Sequence, residues 1–286
     1  MVGINYNYYV ELKVFSLEEI CEIVRQYNKF GEVSREGNHT HLMAFYRGQS
    51  DANWDIEPSI KRIEIDERRQ YEKHQECLKG KNLFDQLAYL QHYSTGTRLI
   101  DFTMDYKVAL YFACEKNYDK DGALFLYLCD PHKAEWIDTT IFTEIMLINC
   151  DTTLTIQKLS EHICMKYPSV MERFKNISKL NLFLMSYLDH GYMVLPSEEC
   201  KFDNLRIKRQ KGAFFICGLE FENDVTSQMR WESNAGRNIL ICHSVKIPES
   251  LKHKRPLVKL IIDSSIKRQI LSELNNQGIN KSELLG

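Results

Sequence analysis

The sequence predicts an α+β protein in which mixed small sheets are flanked by helices and a helical insertion separates two strand-bearing stretches. Three observations carry that expectation. Short apolar runs bounded by polar or glycine-containing breaks recur near residues 42–46, 123–129, 213–219, 239–245 and 257–262. Amphipathic helical periods lie on either side of them, and between residues 151 and 191 helical periods dominate. The 286 residues can bury a sizeable core, and 44% hydrophobic with 27% charged residues is the balance of a packed chain rather than a disordered one.

Taken in order, Ser16-Leu17-Glu18-Glu19 has the form of a capping box. Phe15 and Ile20 supply its hydrophobic staple, and Leu17, Ile20, Cys21 and Val24 share one helical face, which predicts a helix over 17–29. Residues 31–41 read as a polar loop, and 42–46 as a buried strand that leaves Arg47-Gly48 at its end. Charged helix formers fill 66–79. Residues 83–92 form a further helix with Leu87, Ala88 and Leu90 inward, broken by Ser94-Thr95-Gly96-Thr97. Residues 98–102 are expected to be extended, and Thr103 to cap a helix carrying Val108, Tyr111, Phe112 and Glu115, of which the first three read as core. A strand over 123–129 closes at Asp130-Pro131. Ile156, Leu159 and Ile163 make one helical stripe and Val170, Phe174 and Ile177 another. Strands return at 213–219, 239–245 and 257–262, followed by a helix over 265–277 that stops at Gly278. The chain thus divides into a helix and loop (1–40), the first part of the core (41–150), the helical insertion (151–200), and the remaining core strands with a C-terminal helix (201–286).

Nine scattered cysteines, odd in number and without C-x-x-C spacing, read as reduced core residues, and no structural zinc site is expected. His39 and His41 read as solvated loop histidines, with a His-x-His metal pair as the alternative. Asn5, Tyr6, Asn7 and Glu11 stand where a leader would be basic and then apolar, and no run of about eighteen apolar residues occurs, so a cytoplasmic protein without membrane contact is expected. A net charge of -2 gives no general attraction for nucleic acid. Any such contact needs a local patch, for which Arg206, Lys208, Arg209 and Lys211 are the candidates; the same cluster reads equally as charge protecting an exposed strand edge.

An arginine beside a glycine at a strand end suits an anionic ligand, because the guanidinium forks onto phosphate and the missing Cβ lets the ligand lie against the backbone. The competing reading pairs Arg47 with a core carboxylate such as Asp101. Gln91, His92, Thr97, Arg98, Asp101 and Thr103 fall at a helix-turn-strand-helix junction where side chains converge on one cleft. A satisfied buried His92 and a helix-capping Asp101 are the alternatives there.

Three blocks of residues carry a resemblance. The first is Phe45-Tyr46-Arg47-Gly48-Gln49 with Trp54 and Pro58-Ser59-Ile60-Lys61-Arg62. The second is Gln91-His92-Tyr93, Thr97-Arg98-Leu99-Ile100-Asp101-Phe102-Thr103 and Val108-Ala109-Leu110-Tyr111-Phe112-Ala113. The third is Asn204-Leu205-Arg206-Ile207 with Gln210-Lys211-Gly212-Ala213-Phe214. Together they resemble the FRG domain family, named for its aromatic-Arg-Gly motif. Their layout is similar, more distantly, to the ADP-ribosyltransferase fold that splits NAD. That likeness implies an ADP-ribosyltransferase-like core with NAD as co-substrate. Arg47 with Tyr46, Gly48, Gln91 and His92 would hold NAD, Thr97, Arg98 and Thr103 would line the ribose pocket, and Asp101 with Gln210 would meet the cationic sugar of the transition state. Where that fold carries a late glutamate, this sequence has the neutral Gln210. Glu220-Phe221-Glu222 imitates the Glu-x-Glu of arginine-directed transferases, a spacing common on solvated strand edges. The implied activity is modification of a macromolecule, nucleic acid ahead of protein, by a bacterial toxin or anti-phage effector with an antitoxin or regulatory protein as partner. Beside it stand a nucleotide-sensing module without turnover, and a nuclease using His92, Asp101 and Arg47 on phosphodiesters.

Overall fold

The computed structural model describes residues 8–38, 42–62, 67–93, 96–148, 154–221, 240–252 and 257–285. Its strands are β1 (Val10–Val14), β2 (Met43–Gln49), β3 (Leu99–Thr103), β4 (Gly122–Cys129), β5 (His132–Lys133), β6 (Tyr192–Leu195), β7 (Gly212–Ile216), β8 (Gly218–Phe221), β9 (Ile241–Lys246) and β10 (Leu257–Ile262). Where several small sheets were expected, one mixed eight-stranded sheet runs β1-β10-β4-β2-β3-β7-β6-β5, and β8 and β9 pair separately. Its outermost pairs, β1 with β10 and β5 with β6, are parallel, while the strands between run antiparallel.

Alternation along the central strands builds two cores, one on each face of this sheet. Phe45, Phe125, Tyr127 and Phe215 face the helices Leu83–Tyr93, Ile137–Glu144 and Ile177–His190. Tyr46, Leu124, Leu126 and Leu260 face the helices Leu17–Asn38, Tyr106–Cys114 and Lys267–Asn276. Coverage of both faces explains why β4 reads as a continuous apolar run, Gly-Ala-Leu-Phe-Leu-Tyr-Leu-Cys.

Several boundaries differ from expectation for identifiable reasons. The first helix continues through 31–38, because Gly31 packs against the Leu128 side chain and this contact outweighs the poor propensity of glycine. Asp105, not Thr103, caps the helix Tyr106–Cys114: Thr103 is still in β3, while Asp105 is extended and its Oδ1 accepts the Lys107 N–H at 3.0 Å. The apolar run over 213–219 splits at Cys217 into β7 and β8, one in each sheet. Val170 and Phe174 lie on a different helix from Ile177, since Lys175 turns left-handed (φ 64) and Asn176 starts a new cap. The strands β1, β5 and β6 and the helix Ile137–Glu144 had no expectation. Among the described residues Cys21, Cys77, Cys114, Cys129, Cys164, Cys200 and Cys217 are free, Cys77 being exposed. No helix of the described residues is long and apolar enough to cross a membrane. His39 and His41 lie outside the described residues.

Candidate functional site

β2 pairs with β4 from Met43 to Gln49, and β3 with β7 from Leu99 to Thr103, yet β2 and β3 share the single pair Tyr46↔Thr103. Beyond it the two strands part. A cavity of about 630 Å³ lies at the opening, bordered by Arg47 and Gln49 of β2, Asp101 of β3, His92, Arg206 and Gln210, with the turn Asn53–Asp55 on one side and the helix Tyr106–Cys114 behind.

Arg47 sits inside β2 rather than at its end, and its Nη1 donates to the Asp101 backbone carbonyl at 2.6 Å across the opening. A side chain therefore takes a carbonyl that faces the parted seam, where a neighbouring strand would otherwise donate. Gly48 borders the cavity as well, but the demand for glycine comes from the other side. A Cβ there would stand 1.7 Å from the Ala109 carbonyl oxygen, and one at Gly122 would stand 2.4 Å from that of Ala113. Both glycines let the helix lie directly on the sheet, a different reason from the ligand approach that the motif suggested. Tyr46 borders the cavity too, and its side chain is held by protein groups: its ring packs edge-on against Tyr106, its hydroxyl donates to Asn28 Oδ1 at 2.6 Å, and burial pushes its pKa up to about 12.

On the β3 side a chain of hydrogen bonds orients Asp101. The Thr97 hydroxyl donates to Gln91 Oε1 at 2.7 Å, and Gln91 Nε2 donates to the Asp101 carboxylate at 3.2 Å. Asp101 does not cap a helix. Thr97 is buried and stands behind Gln91 instead of lining the cavity. Arg98 is a core residue, only 1% exposed, with Nε 3.4 Å from the Glu67 carboxylate and Nη2 donating to the Phe142 carbonyl at 2.7 Å. It precedes β3 on the buried side, so no ribose pocket forms around it. Thr103 donates to the Gln210 carbonyl at 2.6 Å and accepts from the Asp105 N–H, which commits its hydroxyl to joining β3 to the segment before β7. Gln210 is not on a strand; it ends the short helix Leu205–Arg209, and its Nε2 donates to the Leu284 carbonyl at 3.0 Å.

His92 borders the cavity with its ring edge-on to Phe214 at 5.7 Å. Burial lowers its pKa below the ordinary histidine value, the Asp101 carboxylate pulls it back up, and Arg206 lowers it further, so the imidazole is neutral near pH 7. Among the described residues nothing bonds its buried Nε2. The basic cluster lies on a helical turn, not a strand edge: Arg206 reaches the cavity, Lys208 and Arg209 are exposed, and Lys211 pairs with Asp105 at 2.8 Å. Glu220 is exposed on β8 away from the cavity, and Glu222 lies outside the described residues.

Sequence reasoning passed over part of the wall. Gln49 is 6% exposed, its Nε2 donates to the Asp55 carbonyl at 3.1 Å, and its Oε1 has no partner among the described residues. Trp54 is half exposed at the rim, while Val108, Phe112 and Glu115, the first two expected as plain core, form the back wall. Their spacing at i, i+4 and i+7 was the available signal.

Residues 43–122 match the protein-family model of the FRG domain. The matched range takes in the first two motif blocks and leaves the third outside it. No curated protein and no solved structure matches the chain.

Proposed function

We propose that this chain is an NAD-dependent ADP-ribosyltransferase-like enzyme that modifies a macromolecular acceptor in the cavity between β2 and β3. The observation carrying the reading is the parted seam, which sets the Arg47 cation on one strand opposite the Asp101 carboxylate on the other. NAD fits the groups present. The volume is in the range of small-molecule sites, roughly 300–1,000 Å³. Gln49 Oε1 and His92 Nε2, without partners among the described residues, are buried polar atoms that a ligand's hydroxyls or amide would satisfy. Trp54 and Phe112 put aromatic side chains on the wall against which the bases would pack. Arg47 forks onto the pyrophosphate, and Asp101, held by Gln91 and Thr97, faces the positive charge that develops on the ribose as the nicotinamide bond breaks. Gln210, the neutral residue at the position of the late glutamate, braces the wall through its amide.

Nucleic acid is the acceptor class the surroundings favour, since Arg206 reaches the cavity from a helical turn whose Lys208 and Arg209 are exposed. Reversing Lys208 and Arg209 to Glu is expected to reduce nucleic-acid modification and flatten its salt dependence while NAD hydrolysis stays near wild type; equal loss of both activities counts against this acceptor. The overall test is incubation with labelled NAD and total cell extract, then separation of protein from nucleic acid. Label on either class, absent with Arg47→Ala, supports the reading. Nucleic-acid breakdown without NAD would replace it with a nuclease. A second reading, a nucleotide sensor without turnover, is favoured by one observation: the Thr103 hydroxyl and Gln210 amide are spent on internal bonds, the latter to the helix Lys281–Leu285. NAD retained without nicotinamide release identifies it.

A further inference from the structure

Lys267, at the start of the helix Lys267–Asn276, is fully buried, and the acceptors around its ammonium are backbone carbonyls. Nζ donates to Ser50 O at 2.9 Å, Lys116 O at 2.8 Å, Asn117 O at 2.8 Å and Lys120 O at 3.2 Å. These oxygens come from two turns distant in sequence, one just after β2 and one between the helix Tyr106–Cys114 and β4. Asn117 is left-handed (φ 48), and its Nδ2 donates to Ser50 Oγ at 3.0 Å, tying the turns to each other. Ser50 and Lys116 both border the cavity, so whatever holds these turns holds its rim.

Among the described residues no carboxylate is paired with Nζ. Asp51 is taken by Lys120 at 2.7 Å, and Asp121 by Lys13 and the Ser264 N–H. Asp119 is exposed, and burial raises the Cys114 thiol to about 12, which keeps it neutral. Burial pushes Lys267 below the ordinary lysine range, while Asp51, Asp119 and Asp121 pull the other way. Four carbonyls converging on one nitrogen call for the fully protonated form, whose three N–H groups they share; a neutral amine would turn a lone pair toward one of them.

We infer that the four carbonyls form a cage for a primary ammonium group, which the chain fills with its own Lys267, and that Lys267 is thereby a positioning residue for the rim of the cavity. Carbonyl dipoles replace the hydration shell of the ion, and the caged charge adds to the bonds that already join the two turns, Asn117 to Ser50, Lys120 to Asp51 and the Ala52 N–H to the Asp121 carbonyl. This inference holds whatever ligand the cavity takes.

Amide hydrogen exchange of residues 50–54 and 116–121 tests it in Lys267→Ala, with alkylammonium salts added. n-Propylammonium restores the three methylenes and the ammonium that the substitution removes, whereas tetramethylammonium carries the same charge without an N–H. Exchange in both segments should rise by about tenfold or more in the variant and return toward wild type with millimolar propylammonium, but not with tetramethylammonium. Lys267→Met, which fills the space of the stem, should show the same rise without rescue. If Lys267→Ala does not fold, its refolding yield with each salt is the readout, and a gain with propylammonium alone is expected. Wild-type exchange in both variants, equal rescue by the two salts, or no refolding gain from propylammonium overturns the cage. The exchange readout needs no NAD, so failure of the proposed activity leaves it intact.

Discussion

β3 has two neighbours and meets them differently. Toward β7 its five residues pair in full, and the ladder continues as the Cys217 N–H donates to the Arg98 carbonyl at 3.2 Å. Toward β2 it keeps one pair and then parts. An arginine marks each seam. At the closed one Arg98 is buried against Glu67 and the Phe142 carbonyl; at the open one Arg47 spans the gap to Asp101 beside a cavity. A guanidinium takes its role from the strand register around it. Where the ladder closes, its partners are buried protein groups, and where it opens, the arginine borders a cavity.

That contrast predicts opposite consequences for the two arginines, beginning with the larger. Arg98→Ala removes the cation from a Glu67 carboxylate that is only 9% exposed. Urea unfolding should show a loss of about 3–5 kcal/mol. A loss below about 1 kcal/mol would mean that the closed seam does not depend on the pair. Next comes Gly48→Ala, whose Cβ would run into the Ala109 carbonyl. Both elements there are backbone and neither can swing aside, so a loss of about 1–3 kcal/mol or more is expected in thermal unfolding, whatever ligand is present.

The same contrast explains what could be read from the sequence alone. Leu257–Ile262 and the helix Leu83–Tyr93 were legible because apolar spacing records which face is buried. Residues 43–122 were legible as a family segment because the motif residues are dense and ordered. Strand order was not legible: nothing in the local pattern says that β2 pairs fully with β4 and barely with β3, since register is set by contacts distant in sequence. For that reason Arg98, inside a motif block like Arg47, was placed in the ribose pocket although it lies in the core. Gly48 was singled out for a ligand's approach, and the sequence could not show that a chain segment some sixty positions further on also needs its missing Cβ. β5 and β6, of two and four residues, are too short to leave a periodic signal.

At the open seam the expected effect falls on binding instead of folding. Arg47→Ala should leave the melting transition near wild type and weaken NAD binding by at least about tenfold, since charge-assisted hydrogen bonds contribute roughly 1.5–3 kcal/mol each. Arg47→Lys should recover part of that, because a point charge cannot reproduce the planar fork. Calorimetry and thermal unfolding on the same variants separate the outcomes; a large melting loss with unchanged affinity would make Arg47 a second Arg98.

The smallest expected effect concerns His92, which belongs to the open seam yet is packed as though the seam were closed. Burial holds its folded-state pKa below the unfolded value near 6.5, against the pull of Asp101. Between the two values the folded chain binds fewer protons than the unfolded one. The stabilisation from a neutral His92 is therefore complete above about pH 6.5 and is lost as the pH falls from there through the folded-state pKa. His132, lowered by burial in the same direction, adds a slope of the same sign and has to stay in place as the background. His92→Phe keeps an aromatic edge toward Phe214 and removes the titration. Urea midpoints between pH 7 and 5 should then fall less steeply for the variant than for wild type. An unchanged slope would show that the imidazole takes up its proton inside the cavity without cost, and the wall around His92 would then belong to the solvated opening instead of the packed core.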